Sequence, residues 1–212
     1  MLRVLRCGWR WAHDAGGWVA VSFATNGIYA SEFANIPLVS TGRWHFDGAG
    51  SAAQGPTIVA ARAYAVPIWP GRECTLTDVC MNIGAAFTTP GTVRGGLYAS
   101  HATTGLPTSL ITDGGTFVEA TGTKSWTGLT NVLAPVLYYW VVTAQDGVTG
   151  TPTWSSRNWS NPLITESNGS APNPNTQRTA HYTDTGFTGA YPASYGTPAG
   201  VVVGPSLGFK LT

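Results

Sequence analysis

Apolar positions along the chain recur at a spacing of two, in short runs separated by glycine, proline and Asx-Gly turns. No stretch of ten or more residues carries a helical period. The strongest run is residues 136–145, VLYYWVVTAQ, preceded by Pro135 and closed by Asp146-Gly147. Its ten residues are rich in Val and Tyr, which favour pleated backbone, and are too few to cross a bilayer as a helix. Alternation puts Leu137, Tyr139, Val141 and Thr143 on one side, and Tyr138, Trp140, Val142 and Ala144 on the other. Both sets are largely apolar. The run is therefore expected to be a central strand covered on both faces, inside a β-sandwich or against another subunit.

Other runs fall into place around it. Residues 57–68, 73–83, 92–100, 116–120, 124–129, 201–203 and 207–211 are expected strands, with turn signals every 8 to 12 residues as sandwiches show. Within 73–83 the apolar phase changes at Thr77-Asp78, which suits a β-bulge. Asp113-Gly114-Gly115 and Thr104–Pro107 are expected loops. Residues 150–179 are mostly Thr, Ser, Asn and Pro, a long loop of the kind that is functional or covered by a partner. Residues 1–55 differ: short runs at 18–23 and 28–33 are broken by Gly16-Gly17, Asn26-Gly27 and Asp47-Gly48, and 47–56 has the small-residue make-up of a linker. This divides the chain into an aromatic N-terminal arm or attachment segment, 1–55, and a β-sandwich, 56–212, although two extra strands of one sandwich would also explain the first segment.

Composition changes the picture at the surface. Only 10% of residues are charged, against roughly 25% in an average soluble domain. Obligate interfaces are depleted in charge, so much of this surface is expected to lie against other subunits rather than water. A net charge of +1 gives no field for steering onto nucleic acid. Arg3, Arg6 and Arg10 interleave with Trp9 and Trp11, a cluster suited to packing into a neighbouring protein. No apolar run follows those arginines, so a secretory signal is not expected, and Gly16 to Phe23 is too short and glycine-broken for a membrane span. The two sequons at Asn158 and Asn168 are then chance matches. Three cysteines cannot pair completely, and Cys74 and Cys80 in one strand would sit about 20 Å apart.

Candidate chemistry is sparse. Gly204-Pro205-Ser206-Leu207-Gly208 matches the serine-hydrolase elbow in letters, but no Asp, Glu or His follows to complete a triad. Ten carboxylates are scattered, those at Asp47, Asp113 and Asp146 in turn contexts, and a Glu119–Asp184 pair is what a glycosidase would have to assemble. Asp113 or Asp146 lacks the alternating acids of a calcium loop. His13, His45, His101 and His181 lack metal-ligand spacing, so neither a metal nor a cofactor is expected. The loop aromatics are the stronger signal. Trp154, Trp159, Tyr182, Tyr191 and Tyr195 stand among small polar residues, where flat rings can stack on sugars or else plug the sandwich ends. Trp154, Trp159, Tyr182 and Tyr191 are the candidates for glycan stacking.

The order of segments carries a family likeness. RAYAVPIWPG, CTLTDVCMNIG, VRGGLYAS with TTGLPTSLITDGGTF, TGTKSWTGL, VLYYWVVTAQDG, FTGAYPASY and GPSLGFKL span roughly residues 62–211. Together they resemble the jelly-roll β-sandwich domains of bacteriophage virion proteins: tail fibres, minor tail proteins, and head fibres or decorations. The resemblance implies an all-β, jelly-roll-like antiparallel sandwich. It also implies a virion component assembled in the host cytoplasm as a homo-oligomer, commonly a trimer, that contacts other virion proteins and host-surface carbohydrate. No active-site residues transfer with it, so no enzyme is expected. The alternatives are a polysaccharide-degrading enzyme or the carbohydrate-binding module of a secreted protein.

Overall fold

The computed structural model describes residues 10–14, 17–21, 42, 44–46, 52–89, 91–145, 150, 152–157, 180–184 and 187–212, some of them by backbone alone. These residues form fourteen β-strands and no helix. The chain divides into two compact units, Met1–Pro37 and Leu38–Thr212. In the first, β1 (Arg10–Asp14) and β2 (Gly17–Val21) form an antiparallel hairpin closing at the Asp14↔Gly17 pair, beside the Gly16-Gly17 turn signal.

The second unit is an antiparallel, sandwich-like pair of sheets. The first sheet runs β13 (Gly200–Val202), β12 (Ala180–Thr183), β5 (Ala63–Ile68), β10 (Tyr138–Gln145), β7 (Thr92–Ser100), β8 (Pro107–Val118). The second runs β3 (Trp44–Phe46), β14 (Leu207–Leu211), β6 (Cys74–Ala85), β11 (Thr153–Arg157), β4 (Ala52–Thr57), with β9 (Gly122–Leu133) also paired to β6. β10 is the central strand its sequence predicts, hydrogen-bonded to β5 and β7 on its two sides. The bulge expected at Thr77-Asp78 is present on the side facing β14: Leu211 pairs with Leu76 and Lys210 with Asp78, leaving Thr77 as the extra residue. Cys74 and Cys80 are buried on β6, and neither is in a disulfide.

Both faces of β10 are buried, each against a different layer. Trp140, Val142 and Ala144 enter the core between the sheets, with Val66, Leu76, Val79, Ile83, Leu97, Trp126 and Trp154. Tyr139 and Val141 face outward into a second cluster with Ala63, Ala65 and Tyr98, capped by Phe187, Tyr191 and Tyr195. The cap is a strap of irregular chain, residues 187–196. Its backbone is tied down by Gln145 Nε2, which donates to Phe187 O (3.1 Å) and Gly189 O (2.6 Å), and by Leu110 N donating to Ala193 O (2.9 Å). Tyr98 OH donates to Pro192 O at 2.8 Å. The outer face of the central sheet is thus covered there by the chain itself.

The strap fits because β7 carries two adjacent glycines. A Cβ at Gly96 would stand 2.6 Å from Tyr191 Cδ2, and one at Gly95 would stand 2.5 Å from the Trp126 ring on the opposite face. Opposite them β8 is bulged: Gly95 pairs with Gly115 and Gly96 with Asp113, leaving Gly114 as the extra residue.

Several expectations need correction. Asp113-Gly114-Gly115 is no loop but part of the twelve-residue β8, its glycines serving the bulge. Residues 52–56, expected in a linker, belong to β4, and β3 pairs with β14, so the sandwich takes strands from within 1–55. The 150–179 stretch contains β11, which joins β4 to β6. These strands are short or small-residued, and a neighbour's ladder rather than their own apolar pattern holds them in place.

Candidate functional site

Trp154 lies on β11 facing inward and is fully buried. Its ring meets Tyr64 edge-on (centroids 6.0 Å, 65°), and its Nε1 donates to Glu119 Oε1 at 3.2 Å. Tyr191, part of the strap, is buried against the outer face of the first sheet, its hydroxyl 2.7 Å from Arg94 O and 3.2 Å from both Val141 O and Thr143 Oγ1. Burial pushes this phenol well above its ordinary range. Neither ring has a face to offer a sugar, which corrects the stacking role expected of Trp154 and Tyr191. Small polar neighbours mark an irregular chain path, but do not say whether the aromatic side chain points out or in. Trp159, Arg3, Arg6 and Trp9 lie outside the described residues. Arg10 and Trp11 are placed by backbone only, opposite Val21 and Ala20 in the β1–β2 hairpin.

Tyr182 retains a surface. It stands on β12, half-buried, with the Arg62 guanidinium 4.3 Å above its ring centre. Arg62 also forms a two-point ion pair with Asp184 through Nε to Oδ1 and Nη2 to Oδ2, the second at 3.2 Å. The hydrogen bonds that Arg62 donates to Asp184 raise the arginine pKa, outweighing partial burial. Gly200 packs against the ring edge, where a Cβ would come within 2.7 Å of Tyr182 Cε1. The ring therefore stacks on the chain's own cation, and the groups turned to solvent are polar: Asp184 is 49% exposed and Arg62 24%. Such an arrangement can hydrogen-bond a pair of neighbouring hydroxyls. Sequence reading picked out Tyr182 but missed Arg62 and Asp184 as its partners. The available signal was Arg62 itself, a lone charge in the apolar run TIVAARAYAVPI.

Several other titratable groups among the described residues are engaged elsewhere. Burial alone would raise the Asp113 carboxyl, but Arg94 and the Gly115 N–H hold it below its ordinary 3.8. Both Asp113 oxygens face Arg94 Nε at 3.0 Å. Glu119 is 1% exposed and accepts from Trp154 Nε1 and Phe87 N, while Asp184 sits in the surface pair with Arg62, so the two carboxylates share no partner. His181 is buried against the Tyr139 ring (5.8 Å), and His101 Nδ1 accepts from the Thr103 and Thr104 amides in a tight turn. Ser206 precedes the strand β14 instead of a helix, so the Gly204–Gly208 letters do not build an elbow. Among the described residues no group of three or more His, Cys, Asp or Glu side chains could hold a metal ion. Comparison with protein-family models, with curated proteins and with solved structures found no match for this chain.

Proposed function

We propose that this chain is a structural component of a bacteriophage virion, of the fibre, minor tail or capsid-decoration type. It assembles as a homo-oligomer, with jelly-roll connectivity in its sandwich. One observation carries the reading: a chain with 10% charge that leaves large apolar side chains in the open, Val132 at 68% and Val118 at 65% foremost. Val59, Ile111, Val136, Trp44 and Trp69 are exposed as well. Contact with sister copies and neighbouring virion proteins removes that surface from water, at about 25 cal/mol per Å² before the costs of association. The central strand does not itself require a partner, because the strap already covers its outer face. The segment resemblance over residues 62–211 supports the same assignment.

The experiment is light scattering on the purified chain, followed by imaging of assembled particles. The expected mass is a small multiple of 22.2 kDa. A freely soluble monomer that is absent from particles would overturn the proposal.

Host-glycan contact belongs to Arg62, Tyr182 and Asp184 rather than to the buried rings. Tyr182→Ala and Asp184→Ala are expected to abolish glycan-array signal with the fold intact. The exposed ion pair is worth at most about 1 kcal/mol to stability. Undiminished binding in both variants would exclude this cluster.

A further inference from the structure

Glu119 is a fully buried carboxyl group with no cation beside it among the described residues, and it spans the sandwich. It follows directly after β8 in the first sheet, yet its side chain reaches two donors attached to the second. These are Trp154 Nε1 on β11, at 3.2 Å, and the backbone N–H of Phe87, two residues beyond β6, at 3.3 Å. Its own N–H donates to Gly91 O (3.0 Å), which fixes the backbone that aims the side chain inward.

We propose that Glu119 is a pH-sensitive latch between the two sheets. As the neutral acid it closes the end of the sandwich where β8, β11 and the residues after β6 meet, and its ionisation loosens that end. The surroundings explain why. Phe87 and Trp154 are buried, and Tyr64 packs on Trp154 with its own hydroxyl oxygen occupied by Val59 N. Of the charged side chains described on neighbouring strands, Arg94 is committed to Asp113. Neither it nor Lys124 acts on the Glu119 carboxyl. An ionised carboxylate here loses its water and gains two neutral N–H donors, without a counter-charge.

Burial raises the acid above its ordinary 4.5, and the two donors recover only part of that shift. The sign follows. Between the unfolded and folded values the native state holds the proton more tightly than the unfolded chain does. The stabilisation is complete below pH 4.5 and is lost as pH rises through the folded value.

The test compares urea midpoints of the wild type and Glu119→Gln from about pH 4 to about pH 8, the range that spans carboxyl and imidazole titration. The amide keeps one acceptor but turns an NH₂ toward a donor, a penalty that does not depend on pH. The slope of the difference is therefore the reading, not its level. The wild-type midpoint is expected to fall relative to that of the variant as pH rises. Trp154→Phe removes a donor that favours the charged form, so the fall should extend to higher pH. Amide exchange at residues 86–89, corrected for intrinsic chemistry, should accelerate with pH in the wild type and not in Glu119→Gln. A pH-independent difference in midpoint, with unchanged exchange at 86–89, overturns the latch.

Discussion

Replacing Trp140 by alanine is expected to lower the unfolding free energy by about 3–5 kcal/mol, a large share of the 5–15 kcal/mol typical of a domain. The ring is completely buried, on the inner face of the central strand. It meets Trp126 at 5.3 Å and 60°, and it passes so close to β7 and β8 that a Cβ on Gly95 or Gly114 would stand within 3 Å of it. No neighbouring backbone can collapse into the space left by removing it, because two sheets fix the walls. Trp140→Phe should cost much less. The indole Nε1 is buried without a hydrogen-bond partner, and phenylalanine removes that unpaired donor while keeping a ring against Trp126. Urea unfolding of both variants gives the comparison. A loss below about 1 kcal/mol for the alanine would mean that the inner layer is not packed as described.

The second large effect is overpacking at the paired glycines of β7. Gly95→Ala would bring a methyl group to 2.5 Å from Trp126 Cε2 and Cζ2 and 2.8 Å from Trp140 Nε1, closer than any real contact. Gly96→Ala would bring one to 2.6 Å from Tyr191 Cδ2 and 3.1 Å from Thr112 O. Each is expected to cost roughly 1–3 kcal/mol, since the rings involved are locked on every side. The mechanisms differ by face. Gly95→Ala should strain the core between the sheets, whereas Gly96→Ala should lift the strap and expose Tyr98 and Tyr191. Gly189→Ala is the control. Its added methyl meets nothing within 4 Å, so a change of no more than about 0.5 kcal/mol is expected. Equal losses at all three positions would refute the steric account.

Much of the sandwich was legible in sequence where the alternation was dense. In β10 the two predicted faces are the two observed faces, because every second side chain is large and apolar and a one-residue slip would reverse all of them. The bulge at Thr77 was legible for the same reason: the apolar phase breaks and the ladder to β14 breaks with it. β4 and β11 were not legible, since Ala-Ala-Gln-Gly-Pro-Thr and Thr-Trp-Ser-Ser-Arg carry too little apolar pattern to announce a strand. Glycines misled at Asp113-Gly114-Gly115, where the missing side chain of Gly114 admits Trp140 and Gly115 takes a positive φ within the strand rather than ending it. The candidate site was half legible. An aromatic residue such as Tyr182 can be named from its neighbours. That Arg62, 120 residues earlier, would lie over its ring depends on β5 pairing with β12, which no local pattern encodes.

The strap also sets an order of events during synthesis. Tyr195 closes on the Ala63 carbonyl, a contact 132 residues apart in the chain, so the outer cluster cannot form until the chain through Tyr195 has left the ribosome. Until then a nascent sheet of β5, β7 and β10 presents Tyr98, Tyr139 and Val141 bare on one side. Crowding of growing chains at that stage favours sticky encounters, and chaperone cover would matter most there.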